Sequence, residues 1–130
     1  MDKKGMFLAL ANVLRKHAKG LELREKLIGS QAKGAKEQLH LYGKKKVSLM
    51  NLPARQIYIA GVVMQKNFVG FYSMPMYSHP KKLTLKHPLL KKMRKGKSCV
   101  NVTILDKAML KELDGHVQKG IEVYKKEKWV

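Results

Sequence analysis

Two apolar runs, residues 57–64 and 68–74, flank the polar break Gln65-Lys66-Asn67. Asn tolerates the left-handed backbone of a tight reversal, so the pattern predicts a β-hairpin. In the first run Ile57, Ile59, Gly61 and Val63 fall on one face and Tyr58, Ala60, Val62 and Met64 on the other. Both faces are apolar, so this strand is expected to be central. In the second run Phe68, Gly70, Tyr72 and Met74 alternate with Val69, Phe71 and Ser73, and Pro75, which has no N–H to donate, ends the ladder.

Around this hairpin the periodicity changes. Phe7, Leu10, Ala11, Leu14 and Ala18 recur at helical spacing behind Asp2, which predicts a capped helix over residues 3–19 that Gly20 stops. Leu21 and Leu23 alternate with charged neighbours, a half-exposed strand over 21–28 broken by Gly29-Ser30. Residues 38–42 read as a strand that turns through Gly43-Lys44-Lys45 and returns over 47–52, with a loop at Asn51-Leu52-Pro53. Pro88 opens a short helix carrying Leu89, Leu90 and Met93 and ending at Gly96. Val100, Val102 and Ile104 form the apolar face of a strand over 98–105. Asp106 then caps a helix over 107–126 whose stripe is Leu110, Leu113, Val117, Ile121 and Tyr124, with Gly120 beside it as a place of close approach. The expected fold is α+β: an antiparallel sheet of about five strands, with the N-terminal and C-terminal helices packed on one face.

At 130 residues and 45% hydrophobic content, the chain fits one domain, residues 1–130. No run approaches the roughly 20 apolar residues of a membrane span. Lys3-Lys4 ahead of an apolar stretch faintly resembles a secretory signal, but Arg15-Lys16-His17 stand where a cleavage site belongs. One cysteine, Cys99, excludes an internal disulfide, and a cytoplasmic location is expected.

Charge adds what hydropathy does not show. There are 28 Lys and Arg against 9 Asp and Glu, a net charge of +19. No acid stands between Glu37 and Asp106, while thirteen cations do. Lys81, Lys82, Lys86, Lys91, Lys92, Arg94, Lys95 and Lys97 are the densest group and the candidate anion-binding residues, for nucleic acid or an acidic protein. Lys66-Asn67-Phe68-Val69-Gly70-Phe71 invites comparison with the aromatic strand of RNA-recognition domains. Its glycine spacing differs and no partner aromatic strand is evident, so core packing is expected.

IYIAGVV, KNFVGFYSMPMYSHP, LLKKMRKGKSC and the final Leu105-Asp106 helix ending in GIEVYKKEKW are similar in order and spacing to the YdhG-like family of small bacterial domains. The similarity covers residues 57–129, with Val100 and Asn101 where relatives carry an aromatic residue and His. It implies a frataxin-like sandwich and, from some relatives, an iron-chaperone role, with iron as the possible ligand. Hard iron sites use carboxylates and imidazoles, and Glu112 and His116, four apart on one helical face, are spaced as two ligands would be.

Tyr72, Tyr77, His79, Ser98 and Cys99 are the polar residues inside these motifs and the candidates for lining a pocket at the end of the central hairpin. Lys95 and Lys97 beside Cys99 suggest a lowered thiol pKa if it is exposed. No Asp or Glu stands in the motifs to orient His79 as a base. The chain therefore reads as a non-catalytic binding protein with no cofactor expected, its basic middle facing an anionic partner.

Overall fold

The computed structural model describes residues 1–26 and 37–130. Ten elements follow in order: α1 (Lys3–Lys16), β1 (Leu21–Arg24), β2 (Gln38–Val47), β3 (Arg55–Met64), β4 (Val69–Ser73), α2 (Met74–Ser78), α3 (Pro88–Met93), β5 (Arg94–Lys95), β6 (Cys99–Val102) and α4 (Lys107–Lys126). The strands make one antiparallel six-stranded sheet in the order β1-β2-β3-β4-β6-β5. The sixth strand is the two-residue β5, which the sequence reading placed inside the short helix. That helix stops at Met93, because Arg94 is already extended and its chain pairs with Val100.

α1 and α4 touch each other and both pack on β3. Their apolar stripes, Phe7, Leu10, Leu14, Met109, Leu113 and Val117, join Leu39, Leu41, Val69, Phe71, Val100 and Val102 in one core. Both helices start where a side chain accepts a backbone N–H: Asp2 from Gly5 at 2.7 Å and Asp106 from Met109 at 2.8 Å. α1 ends at Lys16 instead of Lys19, and Gly20, at φ +77°, hands the chain to β1. Lys16 and His17 both reach Asp114, at 3.1 and 2.8 Å, and tie α1 to α4. Gly120 is a place of close approach, to Pro75 of α2 rather than to the sheet: a Cβ there would meet the proline Cγ at 2.8 Å.

Three expectations are corrected. Gly43-Lys44-Lys45 is not a hairpin turn: β2 runs on as one strand, and the pairs Tyr42 with Tyr58 and Lys46 with Gln56 leave those three residues bulged opposite Ile57. β3 does not alternate throughout. Leu41 pairs with Ala60 and Tyr42 with Tyr58, so Ile59 is an extra residue; Ile57, Ile59, Ala60 and Val62 all join the core cluster, while Gly61 and Val63 move to the face of Tyr58. Ile104, expected on the apolar face of its strand, lies beyond β6 and is 53% exposed. The break expected at Gly29-Ser30 lies outside the described residues.

Candidate functional site

β3 is longer than the strand beside it. β4 pairs with β3 only from Ala60 to Met64, so among the described residues no strand lies beside 55–59 on that side. The reason is local: Ser73 caps α2 by accepting the Met76 N–H at 3.2 Å, and Pro75, in the first turn, carries the chain away from the sheet. The gap is a cavity of about 860 Å³. Ile57 and Tyr58 of β3, Met74, Tyr77 and Ser78 of α2, and Tyr124 and Trp129 at the C-terminal end of α4 and just beyond it line this cavity. Its rim carries Leu49, Met50 and Arg55, and Met50 stands at the tip of the β2–β3 loop at φ 55° with 89% exposure.

The cavity continues onto the sheet face away from the helices, where three adjacent strands each present a tyrosine: Tyr42, Tyr58 and Tyr72. Tyr42 and Tyr58 meet edge to face at 5.2 Å, and the Arg24 guanidinium lies 5.3 Å above Tyr42. Glycines make room for the rings. A Cβ on Gly61 would collide with the Tyr58 hydroxyl and the His40 ring, and one on Gly70 would meet the Tyr72 ring at 3.0 Å. His40 is 1% exposed, and burial holds its pKa down at about 4, so the ring is neutral at pH 7. Its Nε2 donates to Gln38 Oε1 at 2.9 Å, which leaves Nδ1 to accept the Tyr58 hydroxyl proton at 2.8 Å. Burial raises the pKa of Tyr58 and of Tyr72.

Of the sequence-derived pocket residues, Tyr72, Tyr77 and Ser98 line this cavity, and His79 and Cys99 do not. His79 packs beside it, against Tyr124 and Trp129 at 5.8 and 5.4 Å. Its Nδ1 meets Ser78 Oγ at 2.8 Å and its Nε2 faces Glu127 at 3.6 Å. An acid does reach His79, from the end of α4, but at 3.6 Å the contact is too long for an orienting hydrogen bond. Cys99 is half-buried, its thiol donates to Asn101 Oδ1 at 3.2 Å, and burial raises its pKa; the lowering expected from Lys95 and Lys97 is not found. Sequence reasoning missed His40, Tyr42 and Tyr58. Their signal was the period of two in Gln38, His40 and Tyr42, hidden by the turn expected at Gly43. The partner aromatic strands sought for Phe71 exist, but they belong to the tyrosines on the opposite face; Phe71 is fully buried in the core.

The eight candidate anion-binding residues follow one another from the loop after α2 (Lys81, Lys82, Lys86) through α3 (Lys91, Lys92) to the edge strand β5 (Arg94, Lys95) and the turn into β6 (Lys97), a basic edge. Seven are exposed and Arg94 is half-buried, held by the carbonyls of Gly96 and Lys97 at 3.0 and 3.1 Å. Among the described residues none of the eight forms an ion pair. Glu112 turns inward and accepts the backbone N–H groups of Lys86 and His87 at 2.8 and 3.0 Å. Its helical neighbour His116 is 7% exposed and meets Ser73 Oγ at 2.7 Å, with burial lowering its pKa to about 4. The pair proposed from spacing is thus taken up by two separate internal contacts. Among the described residues no three His, Cys, Asp or Glu side chains group as metal ligands, and no helix is long and apolar enough to cross a membrane. Comparisons with protein families, curated proteins and solved structures return no match.

Proposed function

We propose that the protein is a YdhG-like, non-catalytic binding domain of the cytosol whose basic edge takes the phosphate backbone of nucleic acid. The observation that carries the reading is the run of eight cations from Lys81 to Lys97 with no ion pair among the described residues, while Glu112, which reaches this segment, is spent on backbone N–H groups. Unneutralised lysines attract polyanions and release counterions when they bind them. Lysine is depleted in the cores of protein–protein interfaces, which favours phosphate over an acidic protein as partner. An iron-chaperone role draws on the family resemblance alone, since Glu112 and His116 already serve internal contacts.

An amide chemical-shift titration with a short single-stranded oligonucleotide, at low and near-physiological salt, tests the proposal. Shifts confined to residues 81–97 and the β3–β4 hairpin, fading steeply with salt, are the expected result. Scattered or absent shifts at low salt would leave the charge as solvated surface and make ferrous iron the next ligand to titrate.

A further inference from the structure

The cavity and the basic edge meet. Lys97 Nζ stands 5.9 Å from the centre of the Tyr77 ring, and both Tyr77 and Ser98 line the cavity wall. Arg55 lines the cavity as well, and Lys46 pairs with the lining residue Gln56 across the β2–β3 ladder. Cations therefore flank an aromatic cleft that, among the described residues, no Asp or Glu lines.

From this juxtaposition we infer that the cavity is a nucleobase site, holding the base of a nucleotide or an unpaired base of a strand while Lys97 and Arg55 contact its phosphates. The inference rests on the phosphate-binding reading for its charged half; the base half stands on separate observations. The rings of Tyr58 and Tyr72 lie over Gly61 and Gly70 and, with Tyr42 and Tyr77, line the cavity with aromatic surface on which a planar group can stack. The hydrogen-bonding groups at hand are neutral and mixed: the Gln65 amide, the Ser98 hydroxyl and the Tyr58 oxygen, whose own proton goes to His40. Such a set suits the mixed donors and acceptors of a base edge. A cationic ligand, the other common guest of aromatic cages, would enter against the field of Arg55 and Lys97, and among the described residues no carboxylate lines the cavity to receive it. The volume, about 860 Å³, is within the range of small-molecule sites.

Trp129 is the chain's one tryptophan and lies in the cavity wall, so its fluorescence reports occupancy. The test compares three probes at low salt: a short oligothymidylate, an abasic strand of the same length and charge, and thymidine monophosphate. The expected result is quenching of Trp129 by the oligothymidylate, with affinity about tenfold above that of the abasic strand. Tyr77→Ala is expected to bring the two strands to the same affinity, and Tyr77→Phe, which keeps the ring, to restore the difference. Quenching by the monophosphate as well would identify a free nucleotide as sufficient; quenching by the strand alone would identify an unpaired base in nucleic acid. Equal affinities with no change in Trp129 would overturn the base site and leave phosphate binding standing. Binding of none of the three would overturn both readings.

Discussion

At the scale of single residues, the site depends on a glycine that packing, not a turn, requires. Gly61 lies under the Tyr58–His40 hydrogen bond, and any side chain there must displace both partners. Gly61→Ala is expected to lower stability by about 2–4 kcal/mol, from overpacking and the lost hydrogen bond, as read by urea denaturation. His40 and His116 give the stability a pH dependence whose sign follows from their depressed pKa values. Each is held at about 4 when folded, against the ordinary histidine value of 6.5. The unfolded chain therefore takes up protons first, and stability that is fully present above pH 6.5 is lost as pH falls toward 4. The loss is of order 3 kcal/mol for each histidine. Thermal unfolding measured from pH 7 to pH 4 should show the midpoint fall across that window, and a flat profile would contradict the neutral, buried assignment. Neither histidine was legible as buried. His40 stood beside a turn expected at Gly43 that the strand absorbs as a bulge, and His116 was judged by its spacing from Glu112, although its partner is Ser73, 43 residues away.

At the scale of elements, what could be read locally was read well. Asp106 at the start and an unbroken 3.6-residue stripe placed α4 at its observed bounds, and the Gln65–Asn67 break placed the β3–β4 hairpin. Where a bulge intervenes, alternation misleads, because one extra residue at Ile59 exchanges the faces of everything after it. The tyrosine face of the sheet was lost to this: Tyr58 was grouped with Ala60 and Val62, which are core. α4 offers a controlled comparison of two glycines in one helix. A Cβ at Gly115 meets nothing within 4 Å, whereas at Gly120 it meets Pro75 Cγ at 2.8 Å and Cβ at 3.1 Å. Gly115→Ala should therefore stabilise by up to about 1 kcal/mol through helix propensity alone. Gly120→Ala gains the same propensity but pushes against a rigid ring, and is expected to be net destabilising by about 1–2 kcal/mol. Chemical denaturation of the two variants side by side checks both signs.

For the molecule as a whole, the question is whether binding follows the net charge or the arrangement of charges. The sequence alone gives +19 and an acid-free middle, and both would serve any polyanion at long range. The fold adds an address: the densest part of that charge runs through the loop after α2, α3 and the edge strand β5 and ends at Lys97, beside Tyr77 of the cavity. Two double variants remove the same charge from different places. Lys91→Ala with Lys92→Ala takes two exposed cations from α3, inside the basic 81–97 run, and Lys19→Ala with Lys119→Ala takes two exposed cations from outside it. If single-stranded nucleic acid lies along the edge, the slope of log affinity against log salt should fall in magnitude by about 1.4 for the first pair, since each phosphate contact on a single strand contributes roughly 0.7. The second pair should change it by much less than one contact's worth. Equal changes from the two pairs, measured by fluorescence anisotropy over a salt series, would mean that the protein acts as a diffuse cation and that the edge has no privileged role.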